Sequence, residues 1–327
     1  MPKAKSKAVK SNNAAHQLEL FKLLPDDKKY SNTIELYDGI PKYALGKNKY
    51  SDAIIPIERS FKHKGNAYNV VIKPAIIKDN NGKYVHALPG QREEYVEDAL
   101  RKIACDGNII HYGHQVGVVF TLYQLQNELK RTNHTYSNQQ LKESIDILSS
   151  ASMKLTMVIE NGKAEEIFSE TLFSSMAGKT EENWINGDGK KTTYVVFFNS
   201  LVKKSIFELT FRRYNYEICM LYSNVISRYL HKRMSHNFLQ ASVVNKYEIY
   251  MSTIISGSGI KKYQKPALNN NYIIKALDEM KEHKVILDYE VQRITGDYKY
   301  TLVPAPAFVE EVRNTNQRVK IMRELPK

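Results

Sequence analysis

The chain has 327 residues, 42% of them hydrophobic, and a formal net charge of +13. That apolar content supports two domains with real cores and excludes a largely disordered chain, while the basic excess points to a polyanionic partner, nucleic acid first. Two cysteines, Cys105 and Cys219, exclude a disulfide framework and fit a reducing cytoplasm, and there is no run of about 18 apolar residues to span a membrane.

Residues 1–50 read as a flexible basic arm. Lys3, Lys5, Lys7 and Lys10 flank no apolar stretch, so this is not a secretory signal peptide. The arm carries one apolar burst, Gln17-Leu18-Glu19-Leu20-Phe21. A first domain is expected over residues 51–205. Val70 to Ile77 reads as a strand, Asn80-Asn81-Gly82 as a turn and Lys83 to Leu88 as the returning strand. Gln91 to Ile103 reads as a helix, with Val96, Leu100 and Ile103 at helical spacing and Glu93 and Glu94 in its first turn.

The next segment changes period in an informative way. Thr121 is placed to cap a helix with Leu122, Leu125 and Leu129 on one face, which ends at Arg131-Thr132-Asn133. Ser137 caps a second helix bearing Leu141, Ile145 and Leu148. The period then falls from 3.6 to 2. Met153, Leu155, Met157 and Ile159 alternate with polar or exposed positions, Asn161-Gly162 turns the chain, and Glu166 to Phe173 returns. Helix, tight turn, helix and hairpin is the order of a helix-turn-helix with a wing.

That order recurs in a second domain over 206–327. A long helix is expected over Tyr216 to Met234 and another over Tyr247 to Ile255. A turn at Lys261 to Pro266 leads to a helix over Asn270 to Glu282, with Ile273, Leu277 and Met280 inward. Val285 to Val291 and Tyr298 to Leu302 then alternate around Thr295-Gly296-Asp297, and a helix from Ala307 to Arg323 follows. The fold class is therefore α+β, with two winged-helix domains behind the arm.

The second helix of such a motif puts its N-terminal half into the major groove, where amide and basic side chains read base edges. The outward residues are Asn138, Gln139, Gln140 and Lys142 in the first domain, and Asn270, Asn271, Tyr272 and Lys275 in the second. An ordinary polar helix face would show the same residue types. Phosphate contacts are expected from Lys163 in the first wing, from Lys261, Lys262 and Lys265 before the second reader, from Arg293 and Lys299 in the second wing, and from Arg228, Lys232 and Arg233 on the long helix.

Catalytic patterns are wanting. Gly39 to Lys47 lacks the spacing of a phosphate-binding loop and has Asn48 where a hydroxyl residue belongs. His111-Tyr112-Gly113-His114 lacks the His-hydrophobic-His pattern of rolling-circle nickases. Cys105, His111 and His114 have no evident fourth ligand for zinc. The expectation is a binding protein that is not an enzyme and carries no cofactor or metal.

The doubled helix-turn-helix and wing, the stretch Pro89-Gly90-Gln91-Arg92-Glu93-Glu94-Tyr95-Val96-Glu97-Asp98-Ala99-Leu100-Arg101-Lys102, and Gln17-Leu18-Glu19-Leu20-Phe21 together resemble the iteron-binding plasmid replication initiators of the TrfA, RepA and RepE kind. The last segment resembles a β-sliding-clamp peptide, with Gln17, Leu18, Leu20 and Phe21 as its contacts and Glu19 departing from the usual Ser or Asp. The resemblance implies binding to tandem origin repeats in double-stranded DNA. It also implies recruitment of the sliding clamp and of the host initiator and helicase, and a monomer–homodimer equilibrium. A winged-helix transcriptional regulator of a plasmid or phage is the alternative.

Overall fold

A computed structural model describes residues 16–22, 27–45, 50–51, 53–78, 82–159, 163–177 and 192–324. The Asn80-Asn81 and Asn161-Gly162 turns therefore fall outside the described residues, as do the four lysines of the arm. The mixed α+β architecture expected from the alternating periods is present.

Residues 16–22 and 27–45 are folded, contrary to the expected arm. Helix α1 covers residues 16–21 and strand β1 covers Tyr30–Ile34, every residue of which is buried. β1 pairs antiparallel with a strand far along the chain, Phe211–Asn215. The stretch looked solvated because Ser31, Asn32 and Thr33 are polar. They are buried because their side chains find partners: Asn32 Nδ2 donates to the Phe21 carbonyl at 2.6 Å, and Thr33 Oγ1 to Asp38 Oδ2 at 2.6 Å. The short helix α2, Glu35–Gly39, follows.

A two-residue strand β2 (Tyr50–Ser51) precedes the hairpin β3 (Ile57–His63) and β4 (Asn66–Lys73). The turn between β3 and β4 has positive φ at Lys64 (47°) and Gly65 (83°), the type I′ geometry that suits strand twist. The strand expected over Val70 to Ile77 is split at Pro74, which has no N–H to give the ladder. β5 (Ala75–Lys78) starts anew and pairs with β6 (Tyr84–Ala87).

Helix α3 (Gln91–Ile103) starts at Gly90, whose N–H donates to Glu93 Oε2 at 2.8 Å. Strands β7 (Ile109–Tyr112) and β8 (Gln115–Thr121) lead into helix α4 (Leu122–Arg131) and helix α5 (Asn138–Ser150). Both helices begin at the expected caps. Thr121 Oγ1 accepts from Gln124 N at 3.1 Å and Ser137 Oγ from Gln140 N at 3.2 Å. Leu122, Leu125, Leu129, Leu141, Ile145 and Leu148 are all fully buried.

The hairpin β9 (Ser152–Val158) and β10 (Ala164–Thr171) follows α5 as expected, but it belongs to a larger sheet, ordered β10-β9-β4-β3. Strands β11 (Phe173–Ala177) and β12 (Thr193–Phe198) complete a second sheet, β11-β12-β8-β7. Helix α6 (Ser200–Phe207), strand β13 (Phe211–Asn215) and helix α7 (Tyr216–Leu221) close the unit. Its core takes in Ile206, Leu209, Phe211, Tyr214, Tyr216, Cys219 and Met220, so most of the stretch 206–220, expected in the second domain, packs with the first.

The second core begins at Tyr222. The long helix expected over Tyr216 to Met234 is two helices, α7 and α8 (Val225–Asn237). Asn224 starts α8 by accepting from Ile226 N at 2.9 Å. The break is held by Glu279, which accepts from Ser223 N at 2.7 Å and Asn224 N at 3.2 Å. Tyr247 to Ile255 is likewise not one helix. Tyr247 and Ile249 point inward while Glu248 and Tyr250 are exposed, a period of 2, so Tyr247–Tyr250 forms strand β14 before helix α9 (Met251–Ser258). Helix α10 spans Pro266–Glu282, four residues earlier than expected, with proline at its first position. β15 (Ile286–Ile294) and β16 (Asp297–Pro304) form the hairpin, in a sheet ordered β14-β16-β15.

The last helix, α11 (Pro306–Glu324), belongs to both cores: Phe308, Val309 and Val312 to the second, Val319 and Met322 to the first. Between the units, α3 meets α8 through buried charge. Asp98 accepts from Arg101 at 2.8 Å, Arg228 at 3.1 Å and Lys232 at 2.6 Å. Burial alone would raise the Asp98 carboxyl, but Lys232, Arg101 and Arg228 outweigh it and hold the group below its ordinary range.

Candidate nucleic-acid interface

The two helix pairs α4–α5 and α9–α10 place the expected reading residues unequally. On α5, Asn138, Gln139 and Gln140 are exposed at the N-terminal end and Lys142 is half-buried. Gln140 is partly occupied, because its Oε1 accepts from Ser137 N at 2.9 Å to complete a capping box. Beyond the first turn, α5 is tied to α3. Arg92 pairs with Glu143, its Nε donates to Ser144 Oγ at 2.7 Å, and that hydroxyl donates to Glu93 at 2.7 Å. This fixes the pitch of α5 and leaves its N-terminal end as the solvent-facing part.

On α10, Asn271 and Lys275 are exposed. Asn270 is half-buried, with its Oδ1 accepting from Tyr300 Oη at 2.7 Å. Tyr272 packs against the second core and is better described as a core residue than a reader. Because α10 begins at Pro266 and not at Asn270, Leu268 joins its first turn, where it is 48% exposed. Leu268, Asn271 and Lys275 share one stripe at spacings of three and four, an apolar, an amide and a cationic group suited to a thymine methyl, an adenine and a guanine. Sequence also missed Asn269. It is buried, its Oδ1 accepts from Tyr263 N and its Nδ2 donates to Tyr263 O, each at 2.8 Å. Asn269 thereby closes the turn that aims α10. The signal for it was the run Asn269-Asn270-Asn271, in which the first amide is structural and the last faces solvent.

The basic residues divide in the same way. Lys261, Lys262 and Lys265 are exposed on that turn, Arg293 is exposed on β15, and Lys163 is exposed just before β10. No carboxylate pairs with these five among the described residues. Lys299 is paired with Glu248 at 2.7 Å, which raises its pKa. Arg228 and Lys232 do not belong among phosphate contacts. Arg228 has no exposed surface and Lys232 is 7% exposed, both engaged with Asp98 and Glu94. Their spacing put them on one face of α8, but that face looks inward. Arg233 is half-buried and its Nη1 donates to Tyr229 Oη at 3.3 Å.

The clamp-like segment is also interior. Leu18 is 7% exposed and Phe21 not at all, with the Phe21 ring 5.0 Å from that of Phe211 in an edge-on contact. Leu20 packs against the same core and Gln17 is half-buried. Arg318 Nη2 on α11 donates to the carbonyls of Leu20 at 3.0 Å and Lys22 at 2.8 Å, capping α1. The apolar side chains that would enter a partner's pocket are the ones that hold α1 to its own fold.

Cys105 is buried, and burial pushes its thiol up to about 11. Among the described residues no three or more His, Cys, Asp or Glu side chains gather as metal ligands, and no helix is long and apolar enough to cross a membrane.

No protein-family model and no curated protein matches the chain. Solved structures do. Domains 2 and 3 of RctB, as the selenomethionine derivative, match at 12% identity with a TM-score of 0.48, over 83% of this chain and 98% of that one. A second structure of RctB domains 2–3 matches at 10% identity and a TM-score of 0.45, over 85% of this chain and 99% of that one. The Pi initiator protein in complex with iteron DNA matches at 12% identity and a TM-score of 0.44, over 66% of this chain and 91% of that one. The chain is thus similar in structure to RctB domains 2–3 and to the Pi initiator protein.

Proposed function

We propose that this protein is a replication initiator that binds tandem repeats in double-stranded DNA through two winged-helix units, without turning over a substrate. The observation that carries the proposal is the exposed Leu268, Asn271 and Lys275 stripe on α10, behind a turn bearing Lys261, Lys262 and Lys265 with no paired carboxylate among the described residues. The same helix, helix, hairpin order at α4, α5, β9 and β10 supplies a second reader, and the net charge of +13 supplies the attraction to phosphate. At an origin the host initiator and helicase are the expected partners, and monomer and homodimer the expected forms. The sliding clamp is left out of the proposal, because Leu18 and Phe21 are core residues.

The test is a minimal plasmid carrying this gene and its flanking DNA, together with mobility-shift titrations on that DNA. Autonomous replication and preferential binding to direct repeats support the proposal. Binding confined to a promoter palindrome, with no replication, would make the protein a transcriptional regulator instead.

A further inference from the structure

A cleft of about 410 Å³ lies where the first unit's sheet meets the second unit's reader. One wall is β3, through Arg59 and Ser60; the other is α9 and the turn into α10, including Gly259, Lys262 and Tyr263. Arg59 is mostly buried, and its Nη1 donates to the carbonyls of Pro41 and, at 2.8 Å, Tyr43. Neither acceptor carries charge, and no carboxylate pairs with Arg59 among the described residues. Burial consequently lowers its pKa to about 10 with nothing to offset it. Two other well-buried arginines of this junction, Arg101 and Arg228, have carboxylates beside them.

The chain goes to some length to hold this cation against the second unit. Gly259 has φ of +72°, and a Cβ there would meet Arg59 Nη1 at 2.8 Å and Pro41 Cβ at 3.2 Å. The approach therefore needs glycine both for its backbone conformation and for its lack of a side chain. Lys262 stands on the lip of the same cleft, exposed. The one carboxylate lining the cleft among the described residues, Asp297, accepts through Oδ1 from the N–H groups of Ser252 at 3.2 Å and Tyr298 at 2.8 Å, which offset part of its charge.

We infer that this cleft is a phosphate site for the DNA backbone, shared between the units, in which Arg59 of the first unit and Lys262 of the second hold one phosphate beside the second reader. The inference rests on the DNA-binding reading and adds to it a contact that neither unit completes alone. Docking of the two units becomes part of DNA recognition, since separating them removes Arg59 from the second unit's footprint.

The experiment measures DNA affinity against salt for the full chain and for Arg59→Gln, Lys262→Gln and Ser60→Glu. Each phosphate contact contributes about 0.9 to the slope of log affinity against log salt. Arg59→Gln is expected to reduce the slope by about that amount, and Lys262→Gln combined with it to cause little further loss. Ser60→Glu leaves Arg59 and its backbone contacts in place and adds a carboxylate to the cleft, so it is expected to weaken binding even if Arg59→Gln disturbs folding. An unchanged slope and affinity in both Arg59→Gln and Ser60→Glu overturns the shared site. Salt-independent or absent DNA binding by the unaltered chain would instead overturn the DNA-binding reading itself. Thermal stabilisation by inorganic phosphate that depends on Arg59, with an unchanged DNA slope, would assign the cleft to a free anion and overturn its role on DNA.

Discussion

Asp98→Asn is the perturbation that tests how the two units are joined. The Asp98 side chain is 1% exposed and faces Arg228 and Lys232, both buried. Asparagine keeps the size of the side chain and removes its charge. Arg101 would retain Asp38 at 2.8 Å, but Arg228 and Lys232 would be left with Glu94 at 3.3 and 3.9 Å. The Arg228 guanidinium lies 4.0 Å from the Tyr95 ring centroid, a contact too weak to replace a carboxylate. Breaking a buried ion pair from one side costs about 3–5 kcal/mol. At roughly 2–4 °C per kcal/mol for a unit of this size, the midpoint of thermal unfolding should fall by about 6–20 °C. Circular dichroism during thermal and urea unfolding reads the effect. Asp98→Leu and Glu94→Gln combined with Arg228→Met and Lys232→Met should recover most of the loss, because they remove the buried cations together with the carboxylates that face them. A single Asp98→Asn variant within about 0.5 kcal/mol of the unaltered protein would refute the reasoning.

Phe21→Ala should cost about 3–5 kcal/mol in urea unfolding, as a core phenylalanine does; a loss of under about 1 kcal/mol would return the segment to the role of a free peptide. His231 and His236 are buried and neutral, with burial lowering them to about 3 and about 4. Their folded values lie below the unfolded value of about 6.5, so the stability they permit is complete above about pH 6.5 and lost as pH falls toward the folded values. Urea midpoints measured from pH 7 to pH 5 should therefore decline, less steeply in His231→Gln; a flat profile would contradict the assignment. Lys275→Ala should weaken binding to specific DNA more than to random DNA, while Lys261→Ala should weaken both about equally and shallow the salt slope. Equal losses on both DNAs for Lys275→Ala would remove it from the readers.

Much of the fold was legible because its segments state their periods plainly. Leucines at 122, 125 and 129, and apolar residues at 141, 145 and 148, lie between good caps, and local chemistry and burial agree. The segments that misled did so where tertiary partners overrule local pattern. Ser31, Asn32 and Thr33 look solvent-facing until β13 and α1 provide their partners. β14 is a short strand whose ladder comes from β16, well beyond any local window, so Tyr247 to Ile255 reads as helix without it. The α7–α8 break depends on Glu279 from α10, which is equally remote in sequence. Site residues show the same limit. Exposure separates Lys275 from Arg228, yet both sit on helices at similar spacing from their neighbours, and only the packing of α8 against α3 makes Arg228 interior. Arg59 lies in a stretch with no clear period, and its position beside Gly259 is a product of the junction between units.

Whether both readers of one chain engage one DNA duplex is read by hydroxyl-radical footprinting and purine-methylation interference on the DNA repeats bound by the full chain. Two blocks of major-groove interference are expected about one helical turn apart on the same face of the duplex, spanning about 20 bp together, with the block under α10 lost selectively in Asn271→Ala with Lys275→Ala. A single block of interference, unaffected by those substitutions, would contradict engagement by both readers.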